Sequence, residues 1–196
     1  MAADYKREAT SILLAESLKK LMERIPFEKI TIKNITDEAG LIRPTFYNHF
    51  ADKYALLEWI FRNEIVAPAA ALIEGNMLQE AMNLMMMRME QDRPFYVKAA
   101  RIQGQNSFGS IVQEVFYDLL NKVFSENIHV HPAGTDTMVT VSNLAKFYAN
   151  STTFILMQWI TSDMKTPPKE VAHLYSLAVL SSMHEIVKEL NNGKNA

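Results

Sequence analysis

The chain of 196 residues contains no cysteine. That excludes a disulfide framework, a cysteine-ligated zinc site and a thiol nucleophile. It also lacks any apolar run approaching the ~20 residues that a membrane-spanning helix needs. Near the start, Lys6, Arg7 and Glu8 lead into an amphipathic stretch instead of the apolar segment of a signal peptide. A cytoplasmic protein is expected. There is no Gly-rich phosphate loop, nucleophile elbow or metalloprotease helix. His129 and His131 flank a single residue beside a Pro-Gly loop, with no carboxylate pair nearby. His184 and Glu185 are adjacent, so on a helix they diverge. No metal site, cofactor or catalytic cluster is expected. An excess of one charge is missing too: the formal net charge is −2. Residues 1–62 hold ten Lys/Arg against nine Asp/Glu, and residues 63–196 hold ten against thirteen. Bulk attraction therefore cannot drive nucleic-acid binding; any such role depends on where the charges sit.

What is present is apolar residues, 48% of the chain, arranged at helical spacing. Leu14, Leu18, Leu21, Met22 and Ile25 form one stripe, which Pro26 ends. Thr31 is placed to cap a short helix over Ile32 to Ala39, with Ile32, Ile35 and Ala39 inward, and Gly40 suits a left-handed closing residue. A third helix is predicted from about Arg43 to His49. Asp52 caps a fourth that continues through Leu56, Leu57, Trp59 and Ile60. Further helices are expected near 76–91, 94–103, 107–125, 137–162 and 169–190. No segment alternates as a strand would. The fold class is all-α: an N-terminal helix-turn-helix unit of three helices over residues 1–62, and a larger helical body over 63–196.

Gly40 to Ile60 carries the functional signal. A helix-turn-helix needs one helix bracing across the DNA backbone and a second entering the major groove. Phe46 and Phe50, four apart, face the core with Leu41. That rotates Arg43, Thr45, Tyr47, Asn48 and His49 outward. Arg43 suits bidentate pairing with guanine and Asn48 with adenine. The Thr45 and Tyr47 hydroxyls suit phosphates, and the tyrosine ring a thymine methyl. Lys33 and Lys53 are candidates for phosphate neutralisation, the latter at a helix N-terminus that favours anions. Thr31 and Pro44 complete the candidate DNA-contacting set.

The stretch TIKNITDEAGLIRPTFYNHFADKYALL resembles the DNA-binding signature of the TetR family of bacterial transcriptional regulators, with similarity from about Lys6 through Ile65. Thr45 to Phe50 resembles that family's recognition helix, and Lys53 its phosphate-binding lysine. One departure is Ile42, where many members carry a capping Ser or Thr. The resemblance implies a homodimer on a near-palindromic double-stranded operator, with the reading helices about 34–36 Å apart. It also implies a dimer interface built from the last two helices, about residues 137–190. Leu144, Phe147, Tyr148, Phe154, Ile155, Trp159, Leu174, Leu177, Val179, Met183 and Ile186 supply apolar surface there. FYANSTTFILMQWI and PPKEVAHLYSLAV are similar to the C-terminal domain of TetR-like regulators of Gram-positive bacteria, including the dihydroxyacetone-kinase activator type. The signal would then be a small apolar effector or a co-regulator protein. For the effector, Met85, Met86 and Met89 with Phe95, Phe108, Phe116 and Trp159 are the expected pocket, since methionine suits adaptable apolar sites. A helical protein–protein module without DNA binding is the alternative reading.

Overall fold

A computed structural model describes residues 2–75, 77–127 and 140–181. Every regular element among them is helical. The long first helix, α1 (Ala2–Arg24), buries Leu14, Leu18, Leu21 and Met22, and stops just before Pro26. A single 3-10 turn, Phe27–Lys29, leads to α2 (Ile32–Glu38). There the Thr31 hydroxyl accepts from the Asn34 N–H while the Asn34 side chain returns the bond to the Thr31 N–H, a reciprocal cap. Gly40, at φ +65°, closes α2, and the Leu41 N–H reaches back to the Thr36 carbonyl. A residue with a Cβ is strained in that conformation.

Helix α3 (Arg43–Tyr47) is a residue or two shorter than its periodicity predicts, since Asn48 already caps it. Asp52 accepts from the N–H groups of Tyr54 and Ala55 to start α4 (Lys53–Ile60). No turn follows. The chain continues helically through a π-helical turn, Phe61–Val66, and a 3-10 turn, Ala67–Ala69, into α5 (Ala70–Glu74). The π turn seats Phe61 edge-on against Phe108 and Phe116, both 5.8 Å away between ring centres.

The body is α6 (Leu78–Gln91), α7 (Arg93–Ala99), α8 (Phe108–Asn127), α9 (Val141–Thr161) and α10 (Pro168–Tyr175), the last running into a π turn over Ser176–Leu180. Helices α8 and α9 pack along each other, and α10 lies on α6. Met183, His184, Glu185, Ile186, His129 and His131 lie outside the described residues. Among the described residues no helix is long and apolar enough to cross a membrane.

Three polar junctions tie α1 and α4 to the body. The Lys19 ammonium bridges Glu64 (2.5 Å) and Asp92 (3.0 Å). Burial alone would lower the pKa of Lys19, but the hydrogen bonds to Glu64 and Asp92 outweigh it and hold it above the usual lysine value. Arg62 joins Asp118 at 2.6 Å. Lys98 of α7 donates to the Met22 and Glu23 carbonyls at the end of α1. Such a cation satisfies carbonyls that the helix itself leaves free.

Candidate nucleic-acid interface and body cavity

A helix as short as α3 cannot stand alone, because nucleation costs more than so few hydrogen bonds return. Phe46, fully buried, and Phe50, 6% exposed, hold it. Their rings lie 5.8 Å apart, and Phe50 meets Trp59 at 6.0 Å. This fixes the rotation of α3. Arg43, Pro44, Tyr47 and Asn48 are exposed, while Thr45 is half-buried. The Arg43 guanidinium leans toward the Tyr47 hydroxyl at 3.4 Å, a spacing of one helical turn.

Residues 39–51 contain no carboxylate, and the flanking ones are engaged. Asp37 pairs with Lys33, Glu38 with Arg24 at 2.6 Å, and Asp52 serves as the α4 cap. The surface of α3 thus presents an arginine, amide and hydroxyl groups, with Asp37, Glu38 and Asp52 at its flanks already engaged.

Four side chains expected to touch DNA have other partners. Lys53 is turned inward. Its ammonium donates to the carbonyls of Phe27 (2.7 Å), Glu28 (3.1 Å) and Ile30 (2.9 Å) and sits 4.6 Å from the centre of the Phe27 ring. A lysine has three N–H donors, and all are used. Burial lowers the Lys53 pKa, with Glu28 and Asp52 offsetting it in part. His49 is also turned back: its Nδ1 lies 3.0 Å from the Ser11 hydroxyl of α1. Burial, and then Arg7, lower its pKa, which favours the neutral ring. The Thr31 hydroxyl is taken up by the α2 cap. Lys33 stays exposed but is paired with Asp37, so a phosphate would have to displace that carboxylate.

The expected effector residues do not form one pocket. Met86, Met89 and Phe108 are fully buried and Phe95 nearly so; they are packed core. Phe95 meets Tyr96 edge-on and Phe108 lies tilted against it. Trp159 donates to the Thr166 carbonyl at 2.7 Å and borders an open groove with Phe154, Ile155 and Leu174 on the α9–α10 surface. Met85 and Phe116 line a cavity with Met82, Leu120 and Tyr175. Sharing Ile73, Leu78, Leu120 and Tyr175, it adjoins a larger space of about 280 Å³ walled also by Phe124, Leu144 and Tyr148. Polar groups of the lining include the Tyr175 and Thr152 hydroxyls, 3.4 Å apart. The methionine spacing identified the buried side of α6; it carried no information on where that side leaves a void.

Of the apolar residues expected at a dimer interface, Phe147, Phe154 and Leu174 are exposed on α9 and α10. Leu144, Tyr148, Ile155, Leu177 and Val179 are half-buried, and Trp159 is buried within the chain. Among the described residues, no group of three or more His, Asp or Glu side chains could hold a metal.

Residues 15–60 match the family described as bacterial regulatory proteins, tetR family, and residues 76–179 match that described as transcriptional regulator C-terminal region. The HTH-type dhaKLM operon transcriptional activator DhaS of Lactococcus lactis subsp. lactis (strain IL1403) is 30% identical over 118 residues, 58% of this chain and 60% of that protein. The match thus spans about three fifths of that relative's length. In solved structures, a dihydroxyacetone kinase operon activator DhaS superposes with a TM-score of 0.56 at 21% identity, covering 84% of this chain and 90% of that one. The fatty acid degradation regulator FadR from Bacillus halodurans gives 0.57 at 12% identity, over 89% and 96%. A protein of Syntrophomonas wolfei described as a TetR-family transcriptional regulator gives 0.60 at 17%, over 92% and 98%. These structural likenesses are to the fold.

The Lys53 geometry predicts that Lys53→Met lowers the free energy of unfolding by about 1–3 kcal/mol, the cost of leaving carbonyls without their charged donor. Urea denaturation measures it; a variant as stable as the parent would mean that the ammonium is free for phosphate.

Proposed function

The chain belongs to the TetR family of bacterial transcriptional regulators, and from that premise we propose that it is a DNA-binding regulator, not an enzyme, acting as a homodimer on a near-palindromic operator. Residues 1–62 are the reading head and 63–196 the sensing and dimerising body. The observation that carries this reading is the surface of α3. Arg43, Tyr47 and Asn48 stand outward on a helix locked by Phe46 and Phe50, and the flanking Asp37, Glu38 and Asp52 are engaged. Arg43 and Asn48 offer the bidentate geometry that distinguishes guanine and adenine edges. Thr45, Pro44 and the exchangeable Lys33 lie around them. Thr31, His49 and Lys53 act from behind, holding α2, α3 and α4 in register.

Dimerisation accounts for the exposed aromatics of the last helices. Phe154 is 66% exposed and Phe147 61% exposed, one heptad apart on α9, with Leu174 of α10 alongside. Large apolar groups lined up in this way mark an interaction surface. Two copies joined there would hold two α3 helices at a fixed separation, which an operator with matching half-sites would read.

The apolar cavity among α6, α8, α9 and α10 is the place for a signal, a small apolar molecule with one group that bonds Tyr175 or Thr152. Occupancy would shift the balance between body conformations, and the ties at Lys19, Arg62 and Lys98 would carry that shift to the heads.

Three outcomes are expected. Selection of genomic fragments by the purified chain recovers a two-fold-symmetric sequence bound in a salt-sensitive manner. On it Arg43→Ala and Tyr47→Ala each lose about tenfold or more in affinity, the equivalent of 1.4 kcal/mol, while melting as the parent does; fragment recovery without sequence preference would refute operator binding. Phe154→Glu shifts the sedimentation mass from dimer to monomer, and an unchanged mass would place the interface elsewhere. Leu120→Trp fills the cavity and abolishes the rise in melting temperature that small apolar ligands give the parent; an equal rise in both would move the ligand site away from α8.

A further inference from the structure

Ile42 stands out against the rest of the reading surface. It is 67% exposed, while Leu41 beside it is partly buried against the core and Phe46 is fully buried. It occupies the position preceding α3 with extended backbone, φ −100° and ψ 151°, and its side chain makes no capping hydrogen bond. A Ser, Thr, Asn or Asp there would accept from a free N–H of the helix and stabilise it. In the isolated chain the isoleucine thus forgoes a cap and gains little by burial. Local preference violated at an exposed position points to a role outside the folded monomer.

The position of the side chain indicates that role. Ile42 precedes Arg43 and Pro44 at the N-terminal end of α3, the end of a recognition helix that approaches base edges. It has no donor or acceptor, so it can bond neither phosphate nor the polar atoms of a base. The apolar group on a base edge in the major groove is the 5-methyl of thymine. We propose that Ile42 is a specificity-determining residue that reads a thymine in each half-site through its 5-methyl group. This rests on the operator-binding reading above and adds the identity of one base.

The test uses the full chain and the operator fragment recovered from genomic DNA, with each thymine replaced singly by deoxyuridine, which differs only by that methyl. For the parent, one thymine position per half-site should show a loss of about fourfold, the worth of one buried methyl. Ile42→Val should keep that response. Ile42→Ser should bind thymine and uracil duplexes equally at this position and melt no lower than the parent. An identical fourfold loss in Ile42→Ser would overturn the assignment, as would the absence of any methyl-dependent position. Loss of the methyl response together with a lower melting temperature would make Ile42 a structural residue and overturn it as well. Absence of sequence-selective binding by the parent would refute operator binding itself, whereas selective binding without methyl dependence overturns this inference alone.

Discussion

The seating of Phe46 and Phe50 is the constraint on which the reading surface depends. Helix α3 spans Arg43–Tyr47, too short to persist by its own hydrogen bonds. Fully burying a phenylalanine contributes about 1.5–3 kcal/mol, so two anchors offset a nucleation cost that the backbone cannot. They also do what backbone bonds cannot do: they choose which side of the helix faces out. With Phe46 at zero exposure, one rotation is left, and it leaves Arg43, Pro44, Tyr47 and Asn48 outside.

Around this anchor several cations work inward. Lys53 gathers three carbonyls of the turn before α2, Lys98 holds the end of α1, and Lys19 and Arg62 tie α1 and the π turn to Glu64, Asp92 and Asp118. Positive charge that would otherwise serve general attraction to DNA is spent on internal positioning. A net charge of −2 is then no obstacle to reading DNA. The duplex would be held by a few directed groups on α3 and by whichever surface cations can exchange partners, as Lys33 can exchange Asp37. The ties at Lys19, Arg62 and Lys98 join the body to the head.

Legibility in the sequence followed the range of the interactions. Thr31 and Asp52 cap within three residues, Gly40 closes α2 through its own φ, and Phe46 and Phe50 are four apart; all were readable from local pattern. The inward turn of Lys53 was not, because its acceptors lie 23 to 26 residues upstream. Nor was the bond between His49 and Ser11, 38 residues apart. Periodicity marks which side of α6 is buried, and that side holds the methionines expected to line a pocket. Whether an interior leaves space depends on what α8, α9 and α10 bring against it, and there Leu120, Tyr148 and Tyr175 frame the cavity while Met86 and Met89 are packed solid. The exposure of Ile42 needed coordinates for the same reason: a sequence shows an isoleucine, not the lack of a neighbour.

Amide hydrogen exchange of the full chain, with and without its selected operator duplex, tests the central claim most directly. Exchange should slow on DNA only within the reading head, most strongly across residues 42–48, with the α8–α9 core unchanged. Protection on α9 and α10 without any on α3, or no protection at all, would contradict it.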